Sequence, residues 1–156
     1  MADQQKLDFI LNDFAPLLKQ LNANAEGKWG KMNAQQMTEH VADFFKVSSG
    51  QLVFPLVSPP EYLPKLKAFL LSDKEFRENT KAPEEIVPED PKPERNSTYT
   101  DAIKELEDNI QAFVAYYNNP TTPNTTHPVF GELNFDEWVL LHYKHVTHHA
   151  KQFGLI

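Results

Sequence analysis

Phe135-Asp-Glu-Trp-Val-Leu-Leu-His-Tyr-Lys-His-Val-Thr-His-His-Ala-Lys-Gln-Phe153 places Phe135, Trp138, His142, His145, Val146, His149 and Phe153 on one side of a helix. The histidines continue the apolar stripe and do not decorate a solvent face. Asn134 is placed to cap this helix, Glu137 to close a capping box, and Leu133 to staple against Trp138. Imidazoles at i and i+4, such as His145 and His149, stand about 40° apart around the axis and roughly 6 Å along it. From there both can reach one ion, and a third ligand from a neighbouring helix would leave one coordination position open.

Working back along the chain, the start signature recurs at Asn33, with Gln36 closing the box and Met32 facing Met37. The buried face of that helix reads Met37, His40, Val41, Phe44, so His40 sits inside the stripe. A helix is also expected over residues 4–21, with Leu7, Ile10, Leu11, Phe14, Leu17, Leu18 and Leu21 on one face and Pro16 kinking or splitting it. Another is expected from residue 98 or 100 to about 118, on Ile103, Leu106, Ile110, Phe113, Val114 and Tyr117. Between them, residues 47–96 hold eight of the twelve prolines, which excludes one long regular element. A short helix around 62–71 fits there. Residues 81–95 read as an extended, solvated crossover along the surface, and residues 119–132 as a turn-rich loop. Four amphipathic segments and no credible strand indicate an all-α, four-helix bundle with a long crossover connection, one domain over residues 1–156.

The net charge of −7 argues against a nucleic-acid-binding face. No stretch approaches the ~18 apolar residues of a membrane span, and the polar N-terminus shows no secretory signal. A cytoplasmic protein is therefore expected. With no cysteine in the chain, a metal would be held by nitrogen and oxygen, and any sulfur would arrive with a substrate.

Three inward imidazoles within two turns are hard to satisfy by protein hydrogen bonds alone, and a divalent cation resolves this. The alternative is an ordinary histidine-rich helix end, which suits exposed histidines better than ones aligned with Trp138 and Phe153. His148, about 60° round from His145, is expected to touch a neighbouring helix or a group behind the ligands. His142 fits a fourth ligand, a proton carrier or a core residue. The chain lacks the glutamate of the H-E-x-x-H pattern, which argues against a metalloprotease. Glu39 is a further proton-carrier candidate, but it is expected to point to solvent.

Trp29-Gly30-Lys31-Met32-x-x-x-Gln36-Met37-x-x-His40, together with His145-x-x-His148-His149-x-x-Gln152-Phe153, resembles the DinB-like (DinB/YfiT) superfamily. His-Pro-x-Phe-Gly-x-Leu at residues 127–133 resembles an uncharacterised branch of it, and Lys151 stands where typical members have glycine. The resemblance implies an up-down-down-up bundle in which His40, His145 and His149 bind a divalent ion, zinc or nickel. It also implies metal-dependent chemistry on a small molecule: S-transfer or isomerisation with a low-molecular-weight thiol, or hydrolysis. A non-enzymatic metal- or ligand-binding bundle is the alternative. Such proteins often pair as homodimers, for which Phe76, Tyr99 and the crossover offer surface; no catalytic base, nucleic acid or membrane is implied.

Overall fold

Both capping boxes form, and they set the starts of two long helices. In the computed structural model, which describes residues 2–156, Asn33 caps α3 (Ala34–Ser48) and Asn134 caps α6 (Phe135–Gln152). In each, the asparagine side chain accepts from the backbone N–H three residues on, while Gln36 or Glu137 reaches back to the cap N–H. Met1, the first residue of the polar N-terminus read above, lies outside the described residues.

The N-terminal segment is divided as Pro16 requires. It runs as α1 (Gln4–Asp8), a π-helical turn (Phe9–Asp13) and α2 (Phe14–Leu18). Phe14 N–H bonds to the Phe9 carbonyl, five residues back. The wider turn lies just upstream of a proline that has no N–H and whose ring crowds the preceding turn. A 3-10 turn (Pro60–Tyr62) leads into α4 (Leu63–Leu71), and Thr98 caps α5 (Tyr99–Asn118) through its side chain.

The protein is mostly helical with one small antiparallel sheet, β1 (Thr125–His127) and β2 (Gly131–Leu133). The hairpin corrects the expectation of a strandless chain with a plain loop before α6. His127 explains it: its Nδ1 accepts from the N–H groups of Val129 (3.0 Å) and Phe130 (3.2 Å), stapling the turn. Pro128 supplies a preset φ, and Gly131 takes φ +84° where a side chain would be strained and would meet Leu63.

α3 lies along α5, and α6 contacts α3, α4 and the N-terminal segment. Phe14, Leu18, Met37, Val41, Phe45, Leu106, Phe113 and Trp138 fill the space between them. One hydroxyl joins four elements. Thr125 Oγ1 donates to the Ser48 carbonyl (2.9 Å) and accepts from Trp138 Nε1 (2.8 Å), with Tyr117 Oη 3.0 Å away. Among the described residues, no helix is long and apolar enough to cross a membrane.

The long crossover is anchored by a buried acid. Glu39, only 4% exposed, accepts from the backbone N–H of Arg95 (3.0 Å) and of Asn96 (2.9 Å), and from the Asn96 amide (2.9 Å). The expectation that Glu39 points to solvent is therefore wrong. Tyr99 is not a free contact surface either, since its hydroxyl donates to the Leu18 carbonyl (2.7 Å). Lys144 is buried on α6, donating to the Ser72 carbonyl (2.7 Å) and to that of Lys74 beside the Phe69 ring, so it holds the end of α4.

Candidate metal centre

Two helices far apart in sequence bring three imidazoles together. His40 comes from the middle of α3, and His145 and His149 come from successive turns of α6. One nitrogen of each lies within 4.8 Å of the others. His145 Nε2 is 3.0 Å from His40 Nε2 and 3.0 Å from His149 Nε2.

The protonation pattern can be worked out from the surroundings. Gln152 Nε2 donates to the Trp29 carbonyl (2.9 Å), and a carbonyl can only accept. That orients Gln152 Oε1 toward His149 Nδ1 (2.7 Å), so Nδ1 carries the proton and Nε2 presents its lone pair. The loop approaches this closely because Gly27 and Gly30 have no side chain. A Cβ at Gly27 would come 2.9 Å from Gln152 Cγ, and one at Gly30, where φ is +80°, 2.8 Å from Gln152 Nε2.

Hydrogen bonding among the three rings cannot satisfy them. A ring nitrogen has one in-plane direction, either a donor or a lone pair, so His145 Nε2 serves one neighbour and not both. A cation accepts all three lone pairs at once. Ligands about 2.0–2.1 Å from zinc at tetrahedral angles stand ~3.3 Å apart, close to the two 3.0 Å separations made by His145. The residues present therefore fit a divalent ion.

Electrostatics keep the rings in the ligating form. Burial pushes His40 down to about 4, with Asp43 opposing and Lys92 and His148 adding to the fall. Burial also drives His145 and His149 well below the ordinary histidine value, reinforced by the neighbouring imidazoles. All three are neutral at neutral pH.

The other histidines resolve differently. His142 is a core residue: 1% exposed, it stacks on Phe45 at 3.8 Å. Ser48 Oγ donates to the Phe45 carbonyl, so it accepts from His142 Nε2–H (2.8 Å). His148 touches no neighbouring helix but packs behind the ligands, with ring centroids 5.4 Å from Trp29, whose carbonyl holds Gln152, and 5.9 Å from Phe76. Glu39 is held as a carboxylate: burial raises it, but the bonds from Asn96, Arg95 and Gln35 outweigh this and keep it below the usual value. Lys151, where the resembled family has glycine, pairs with Glu75.

The imidazoles open onto a cavity of about 1330 Å³ that the sequence reading did not anticipate. Residues 79–95 form much of its wall, with Ile86 buried in it, so the crossover is more than a solvated strap. Phe76, expected as exposed dimer surface, faces this cavity and packs on Phe69 at 5.5 Å. The signal for Gln152 was available: a glutamine three residues after a ligand on the same helix faces it.

A family model matches residues 1–154, nearly the whole chain. The chain belongs to the family described as protein of unknown function DUF1569. No curated protein and no solved structure matches this DUF1569 chain. The likeness to the DinB-like superfamily is carried by sequence motifs alone; no match links the DUF1569 chain to it.

Proposed function

We propose that this protein is a divalent-metal-dependent enzyme whose centre is held by His40, His145 and His149. The activity we assign is S-transferase-like, with a low-molecular-weight thiol, or hydrolase-like, on a small molecule. The observation that carries the reading is the pair of 3.0 Å Nε2 separations on the floor of a ligand-sized cavity. Bound zinc or nickel would supply Lewis-acid polarisation at one open position. The chain's own residues do the rest. Gln152 fixes the His149 ring, and the cavity walls would orient a substrate. We further read the fold as a DinB/YfiT-like four-helix bundle in up-down-down-up order, with residues 81–95 as its extended crossover. The motif spacing and the packing of α6 against α3 and the N-terminal segment support this.

A second reading, a metal-binding bundle without turnover, is favoured by one observation. Glu39, the acid next to His40, accepts from the backbone N–H groups of Arg95 and Asn96 and so serves as an anchor for the crossover. Elemental analysis should find about one divalent ion per chain, and little in His40→Ala or His149→Ala. Consumption of an electrophile in the presence of a thiol, abolished by chelation, supports the enzyme. Metal binding without turnover across a thiol, electrophile and ester panel supports the second reading, and no metal in the parent overturns both.

A further inference from the structure

The walls of the cavity differ in character from its floor. Phe69, Phe76 and Phe130 form one aromatic cluster, with centroids 5.5, 6.4 and 6.5 Å apart. Phe44 stands edge-on to both His40 and His145 at 5.2 Å, bringing an apolar ring to the edge of the imidazole group. Phe54 and Ile86 continue the apolar surface. Of the cations in the wall, the Arg95 guanidinium pairs with Asp43 (3.0 Å) and Glu105 (2.7 Å). Lys31 at the rim pairs with Asp90 (3.2 Å). Lys81 and Lys92 also line the cavity, so its cations lie on the crossover side, away from the aromatic cluster. At about 1330 Å³, the space exceeds what a drug-sized molecule needs.

We infer that the cavity binds a largely apolar, ring-bearing small molecule that points one lone-pair donor group at the three imidazoles. The donor half of this rests on the proposed metal centre; the apolar half rests on the walls alone.

Two hydroxamates sharing one donor group separate the terms. Zinc-loaded protein is titrated with acetohydroxamate and with 2-naphthohydroxamate. The naphthyl group should tighten binding about 100-fold, the gain expected when most of a ring of ~150 Å² leaves water. In Phe76→Ser this ratio should fall about tenfold. Chelated protein is titrated with the neutral dye N-phenyl-1-naphthylamine, which should bind and be displaced by 2-naphthohydroxamate. If the chain takes up no zinc but the dye binds and is displaced, the metal centre fails and the apolar site stands. A ratio below about threefold in zinc-loaded protein, or a dye that does not bind, overturns the apolar site.

Discussion

Replacing Gln152 with leucine tests the part of the site that does not depend on any ion being bound. The side chain is buried and makes two hydrogen bonds, accepting from His149 Nδ1 and donating to the Trp29 carbonyl. Leucine nearly matches it in volume, so little cavity is created and the loss is polar. A buried imidazole N–H without an acceptor costs about 1–3 kcal/mol, and the partly buried carbonyl adds ~1 kcal/mol. The expected destabilisation of metal-free protein is therefore about 2–4 kcal/mol, or roughly 4–16 °C in Tm for a chain of this size. Zinc affinity should also fall about 10–100-fold, because the His149 ring is no longer held in its ligating tautomer. Gln152→Glu separates the two effects. It keeps the acceptor for His149 but sets an oxygen against the Trp29 carbonyl, so it should restore affinity more than stability. The assays are urea denaturation of chelated protein and competition for zinc against a chromophoric chelator. Leucine at this position with stability within ~0.5 kcal/mol of the parent would refute the proposed network.

Three other outcomes are expected. Glu39→Gln should cost about 1–3 kcal/mol and expose residues 79–96 to limited proteolysis, because the anchor for the Arg95 and Asn96 N–H groups is weakened; unchanged cleavage rates would contradict that role. His127 has its pKa pushed down to about 3 by burial, whereas the unfolded chain titrates near 6.5. Its stabilisation is complete above ~6.5 and declines as pH falls toward 3, reaching a loss of about 2 kcal/mol at pH 5. Urea denaturation at pH 7 and 5 should therefore show a smaller difference in His127→Asn by about that amount. Zinc at ~100 times its Kd should stabilise the parent by about 2.7 kcal/mol, reversibly on chelation and not in His40→Ala; equal thermal shifts in both proteins would place any binding elsewhere.

What could be read from sequence was what repeats locally. Asn33-x-x-Gln36 and Asn134-x-x-Glu137 state their own geometry, so the starts of α3 and α6 were legible to the residue. The inward phase of His40, His145 and His149 followed from helical periodicity, and the three side chains do converge. Glu39 was misjudged because its partners lie more than fifty residues away, in a segment whose composition suggested only solvation. The hairpin escaped because three-residue strands are too short to show alternation, and its turn is held by a side-chain acceptor, His127, that no pattern of hydropathy reveals. His142 remained open until Ser48 supplied its partner from another helix. The cavity was invisible for the same reason, since its walls come from segments with no sequence relation to its floor.

The imidazole group is set in two capped, well-packed helices, while residues 79–95 form much of the opposing surface with no helix or strand of their own. That opposing surface is tethered by side-chain contacts such as Lys31 to Asp90 and Asn33 to Glu94. The three imidazoles and a large part of the cavity wall thus come from different stretches of the chain. Exchanges around Ile86 should then alter what the cavity admits without moving the three imidazoles. Randomising that stretch, with zinc uptake as the check on the imidazoles, would show whether the two can vary independently.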